Sequence, residues 1–189
     1  MTAIVYKDGA LYADNSSQVK NNHSGYTYFQ GKSKMFSAGC FTIATCGDSI
    51  DFKHPDWISF VYGDLIPELI KIQGIKNAQF TVPEGIFRKD HLAILITQNQ
   101  VFVCVKDLIF HEEDPTSIVT MGSEAPLLDY ALKVTGKTVQ EAYEMVLKYS
   151  VIGHHTEVAF QEMKGLKPLP LPSNSKGKRI AEKKQIPKP

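Results

Sequence analysis

The second residue of this chain carries two reactive groups. Thr2 has a hydroxyl, and removal of Met1 would give it a free α-amine as well. A hydroxyl is a weak nucleophile until a base takes its proton, and an α-amine titrates at about 7.7–8.0. One residue can therefore hold nucleophile and base together. Many chains begin Met-Thr, so the pair gains meaning only from its setting. Here a strand-forming run, Ala3-Ile4-Val5-Tyr6, follows at once and could hold the terminus rigid.

Other reactive side chains are less informative. Cys40, Cys46 and Cys104 lie in apolar, strand-like surroundings and read as buried reduced thiols rather than disulfides or a metal site. His154 and His155 form a pair but have no carboxylate or cysteine at ligand spacing, so they read as loop residues. No metal and no cofactor is expected.

The elements that must position Thr2 are legible as runs. Ala3–Tyr6 and Ala10–Ala13 flank Lys7-Asp8-Gly9, and Asp-Gly between apolar runs signals a hairpin. Residues 15–25 are polar and loop-like. Tyr26–Phe29 alternates as a strand does, and Phe41–Cys46 is a β-rich run ending at Gly47-Asp48. Ile58, Val61, Leu65, Leu69 and Ile72 recur at helical spacing, with Asp56 as a cap, Gly74 as a stop and Pro67 as a kink inside. Leu92–Ile96 and Val101–Val105 form a second hairpin, and strand-like runs follow at Leu108–Phe110 and Ser117–Met121. Gly122-Ser123 opens a helix over roughly 126–134, closed by Gly136. Thr138 and Glu141, at capping-box spacing, open another, and residues 157–160 are the last strand. This order predicts an α+β sandwich, with two sheets inside and helices outside.

Charge divides the chain in two. The net charge is +1 over 189 residues, yet residues 164–189 hold eight basic residues and one acid. That segment is +7 and the remainder −6. It begins with the polyproline-like Leu166–Pro172 and reads as a Pro-rich basic tail, disordered or partner-bound, after a domain over 1–163. No apolar run approaches the roughly 18 residues of a membrane span. No signal-peptide pattern opens the chain, so a reducing cytoplasm is expected.

In order and spacing, four stretches resemble the proteasome β-subunit family of N-terminal-nucleophile (Ntn) hydrolases, and its bacterial HslV branch in particular. They are Thr2–Val5 leading into Tyr12-Ala13-Asp14, then Lys34-Met35-Phe36 running into Phe41–Gly47, then Val119–Ser123 before a helix, then Gly153–Met163. The resemblance covers about residues 2–163. It implies a four-layer αββα sandwich with two antiparallel sheets between helix layers. It also implies a threonine peptidase acting in a ring-shaped homo-oligomer on polypeptide fed by an ATP-dependent unfoldase. Thr2 would be the nucleophile and its amine the proton acceptor. Lys34 would favour the anionic hydroxyl, and Asp14 would hold Lys34 in place. The Gly47 N–H would receive the oxyanion, and Ser123 would orient the amine.

Each of these positions also has an ordinary reading. Asp14 is a strand-end aspartate, and Lys32 lies on the same strand face as Lys34. Gly47-Asp48 is a turn, and Gly122-Ser123 a helix N-cap. The sequence departs from the family pattern at Ala3, where a second threonine is common, and after Gly47. It also has Ser150 where proteasome β-subunits carry an aspartate. The alternative function is a non-catalytic structural or assembly subunit whose basic tail mediates contacts between copies or with an acidic partner. Nucleic acid is not expected as a partner, because the tail lacks interleaved aromatics for stacking.

Overall fold

The computed structural model describes residues 2–20, 26–30, 33–47, 50–105, 107–149 and 158–170. Met1, Lys32, Asp48, Ser49, Ser150, the histidines 154 and 155, and the tail from residue 171 lie outside the described residues.

The chain opens with β1 (Ile4–Lys7) and β2 (Ala10–Asp14), joined by a tight turn in which Asp8 and Gly9 both take positive φ, 51° and 76°. β3 (Ser16–Lys20) and β4 (Tyr26–Gln30) pair as a separate two-stranded ribbon. β3 falls where the sequence reads as loop, because its polar residues carry no apolar alternation to announce a strand. β5 (Met35–Ser37), β6 (Phe41–Cys46), β8 (Leu92–Thr97), β9 (Val101–Cys104), β10 (Ile109–Glu113) and β7 (Gln79–Thr81) form a six-stranded sheet in that order. β11 (Val119–Met121), β1, β2 and β12 (Val158–Glu162) form a four-stranded sheet. Every pairing in both sheets is antiparallel.

Three apolar clusters separate four layers. Between the sheets lie Ile4, Tyr6, Leu11, Ala44, Ile94, Ile96, Val101 and Val103. Outside the six-stranded sheet, Phe41, Ile43, Ala93, Leu95 and Phe102 pack against a helical layer. Outside the four-stranded sheet, Ala3 and Val5 pack against a second one. Successive residues of β1, β6, β8 and β9 thus enter different clusters, and both faces of each strand are covered. This is why their sequences run apolar without alternation. The architecture is the expected α+β, αββα sandwich.

The first helical layer is α1 (Pro55–Phe60), a π-helical turn (Val61–Leu65) and α2 (Ile66–Ile72). The Ile66 N–H reaches back five residues to the Val61 carbonyl. The wide turn comes just before Pro67, which has no N–H to give. It also rotates the preceding turn. Trp57 and Phe60 are buried where the spacing had pointed to Ile58, which is exposed. The cap is His54, whose Nδ1 accepts the Asp56 N–H at 3.2 Å, and not Asp56 itself.

The second layer is α3 (Ala125–Asp129), a π-helical turn (Tyr130–Val134) and α4 (Val139–Tyr149). Thr138 and Glu141 form the anticipated capping box. The Thr138 N–H donates to Glu141 Oε2 at 2.8 Å, and the Glu141 N–H to Thr138 Oγ1 at 3.2 Å. Past β12 the chain stays on the body through residue 170. The Lys167 N–H donates to the Gly39 carbonyl at 2.8 Å, and Leu166 and Leu169 are buried.

Candidate active site

The hairpin geometry of β1 and β2 sets the first part of the site. Their register pairs Ile4 with Ala13, which brings Asp14 level with Ala3. Asp14 Oδ1 accepts the Ala3 N–H at 2.6 Å, and the Asp14 N–H donates to the Ala3 carbonyl at 3.1 Å. The same carbonyl accepts the Tyr143 hydroxyl at 2.8 Å. Asp14 is 1% exposed.

Lys34 arrives from the other sheet. It precedes β5, and its carbonyl accepts the Thr45 N–H at 2.9 Å, which ties it to β6. Its Nζ donates to Asp14 Oδ2 at 2.8 Å. The carboxylate therefore bridges the backbone behind Thr2 and a cation from the opposite sheet. Charge-assisted bonds of this kind are short and strong, and they persist when buried because both charges are compensated.

β11 supplies the third part. It pairs with β1, Met121 opposite Ile4, so Gly122 comes up against Thr2. Gly122 has φ 99°, and a Cβ there would collide with the Thr2 carbonyl. Only glycine fits both demands. Ser123 Oγ then accepts the Thr2 N–H at 3.1 Å, and the Glu124 N–H donates to the Thr2 carbonyl at 3.3 Å. Ser123 does not cap α3; the capping position is Glu124, without a side-chain bond.

Gly47 follows Cys46 at the end of β6, with φ 110°. A Cβ at this position would meet His91 Cδ2 at 3.0 Å and the Asp90 carbonyl at 3.2 Å. Its neighbour Cys46 feels the charges of Lys34 and Asp14, but among the described residues no hydrogen bond joins Gly47 to Thr2, Asp14, Lys34 or Ser123. Burial pushes the Cys46 thiol up to about 11 despite Lys34. That makes the thiol a packing residue rather than a rival nucleophile.

The structure thus joins Thr2, Asp14, Lys34 and Ser123 through hydrogen bonds. All four backbone polar groups of Thr2 and Ala3 are bonded, to Ser123, Glu124, Asp14 and Tyr143. Two of these partners were missed in the sequence. Tyr143 sits inside an amphipathic helix and reads as core. Burial, reinforced by the charge of Asp14, raises its hydroxyl well above the ordinary tyrosine range, so it keeps the proton that it donates to the Ala3 carbonyl. Glu124 reads as a helix-start residue. It is buried, which raises its carboxyl, and the chain's positive N-terminus opposes that rise.

No family model matches the sequence, and no curated protein does. Solved structures do. Eukaryotic HslV from Trypanosoma brucei superposes with a TM-score of 0.51, covering 85% of this chain and 98% of that one at 13% identity. The chain has the HslV fold. Thiobacillus denitrificans BPH, at 14% identity, covers 86% of this chain and 97% of its own with a TM-score of 0.49. Anbu from Hyphomicrobium, at 10% identity, covers 88% and 84% with a TM-score of 0.45. Within the HslV-like fold seen here, Thr2, Asp14, Lys34 and Ser123 meet at one end of the two sheets.

Proposed function

We propose that this protein is a threonine peptidase that hydrolyses peptide bonds with Thr2 after Met1 is removed. The observation that carries the reading is the immobilisation of Thr2. Its peptide nitrogen, its carbonyl and both backbone groups of Ala3 are held by four separate residues. A clamp of this completeness on a second residue is more than packing requires. It fits a residue whose orientation sets reactivity.

The chemistry runs as follows. The Thr2 hydroxyl gives its proton to the α-amine and attacks the scissile carbonyl. Lys34 stabilises the developing negative charge on the hydroxyl oxygen, and Asp14 fixes Lys34. The Gly47 N–H receives the oxyanion, a contribution of about 3–4 kcal/mol per donor in such sites. The leaving amine takes the proton, and an ester to Thr2 remains. Water, activated by the same amine, then hydrolyses that ester and restores Thr2.

A ring-shaped homo-oligomer fed by an ATP-dependent unfoldase accompanies this reading. Tyr130, Val134 and Tyr149 of the second helical layer stand more than half exposed in the single chain. Exposed apolar side chains on one layer support burial against further copies. The test joins three measurements on one preparation. Intact mass reports Met1 removal, size-exclusion chromatography with light scattering reports assembly, and fluorogenic peptides report turnover. The trimmed wild type should cleave, and Thr2→Ala should lose at least about 10³-fold in rate. Equal cleavage by Thr2→Ala, or none by the trimmed protein, would end the peptidase reading.

A further inference from the structure

Glu124 belongs to none of the roles above, yet it lies beside the residue that matters most. Its N–H holds the Thr2 carbonyl at 3.3 Å, and the preceding residue, Ser123, holds the Thr2 nitrogen at 3.1 Å. Its side chain is buried at the start of α3, and no hydrogen bond from a described residue reaches the carboxylate. A buried carboxylate is costly unless a positive charge compensates it. Other groups around the site have roles or partners already. Lys34 and Asp14 pair with each other, Tyr143 donates to Ala3, and Cys46 is a buried neutral thiol. The Asp14 charge works against ionisation of Glu124, and the chain's N-terminal positive charge works for it.

Removal of Met1 changes this balance. While Met1 is attached, the Thr2 nitrogen is an uncharged amide. Once Met1 is gone, the positive charge sits on Thr2 itself, the residue whose carbonyl the Glu124 N–H holds. We propose that Glu124 is the counter-ion of the Thr2 α-ammonium in the trimmed protein, so that this amine keeps its proton to higher pH than it would without Glu124. The inference rests on the peptidase reading only for Met1 removal. Asp14 and Glu124 then face Lys34 and the ammonium, two charges against two. Glu124 acts through the amine and is a positioning residue. It makes the base stronger and confines its free form to higher pH.

The experiment titrates the amine directly. Trimmed wild type, Glu124→Gln and Glu124→Asp are confirmed by mass. The Thr2 α-amine is then followed by NMR with selectively labelled threonine. Glu124→Gln should lower the amine's apparent pKa by about one unit, a tenfold loss of proton affinity, and Glu124→Asp should restore part of it. If turnover is present, the acid limb of kcat/KM should move to lower pH by the same amount. An amine that titrates identically in wild type and Glu124→Gln overturns the inference. A second measurement needs no variant. The Glu124 carboxyl of the trimmed wild type, followed by carbon NMR, should titrate lower with the Thr2 amine free than with that amine acetylated. Equal titration in the two forms overturns the inference even where Glu124→Gln fails to fold. A Glu124-dependent amine without peptide cleavage keeps this inference and ends the peptidase reading. Cleavage by a protein whose amine ignores Glu124 does the reverse.

Discussion

Asp14 illustrates how one side chain can tie chemistry to stability. Its two oxygens serve different sheets, one taking the Ala3 N–H and the other the Lys34 ammonium. Lys34→Met would take the Lys34 ammonium away from a nearly fully buried carboxylate. Loss of one partner of a buried pair costs about 3–5 kcal/mol, read as a lower urea midpoint. Under the proposed mechanism, activity should fall beyond what unfolding explains, because the charge proposed to favour the anionic hydroxyl is gone. Gly122 sets a steric limit at the same place. Gly122→Ala must relieve both a positive φ of 99° and a collision with Thr2. We expect a destabilisation of about 1–3 kcal/mol in thermal or urea melts, with displacement of Thr2 seen as lost turnover. Ala3, where a second threonine is common in the resembled family, is fully buried against the second helical layer. Only its backbone groups reach the site, so that departure leaves the clamp intact.

At the scale of elements, the two helical layers were legible in unequal degree. The capping box of α4 follows from Thr138 and Glu141 three residues apart, and the observed bonds are the expected reciprocal pair. These bonds hold the Glu141 carboxyl below the ordinary glutamate range. A lowered folded-state value adds stability above the unfolded value, and that stability is lost as pH falls through the folded one. Urea midpoints should therefore decline more steeply below the ordinary glutamate range in wild type than in Glu141→Gln. Thr138→Ala should cost about 1 kcal/mol at neutral pH. The first helical layer misled the periodic reading at Ile58. A π-helical turn adds a residue before Pro67 and rotates the earlier turn, which buries Trp57 and Phe60 instead. Spacing alone does not reveal such an insertion, since it depends on how the helix must meet the sheet.

For the whole molecule, the layering decides which reactive groups solvent can reach. Cys46 lies between the sheets and Cys104 under the first helical layer, and burial pushes both thiols up to about 11. Cys40 is only partly buried. A thiol reagent at about pH 8, near an ordinary thiol's pKa, should modify Cys40 in the native protein and reach the other two only after denaturation. Rapid native modification of all three would mean that the two inner layers are not closed. Among the described residues no helix is long and apolar enough to cross a membrane. The segment 164–170, read from composition as the start of a tail, instead carries Leu166 and Leu169 into the clusters of the body.

The sequence by itself determined the order of most strands and helices, β3 and β7 excepted, because apolar runs and turn residues are local signals. It also marked Thr2, Asp14, Lys34, Gly47 and Ser123 as positions worth watching, through their spacing within a resembled pattern. Tertiary structure decided how four of these positions, Thr2, Asp14, Lys34 and Ser123, meet. The Lys34–Asp14 pair joins two sheets, Ser123 reaches Thr2 across 121 positions of chain, and Tyr143 closes on Ala3 from a helix 140 positions away. Glu124 could not be told from an ordinary helix-start acid until β11 was paired with β1. Contacts of that range have no local signature, because they arise only when the layers stack.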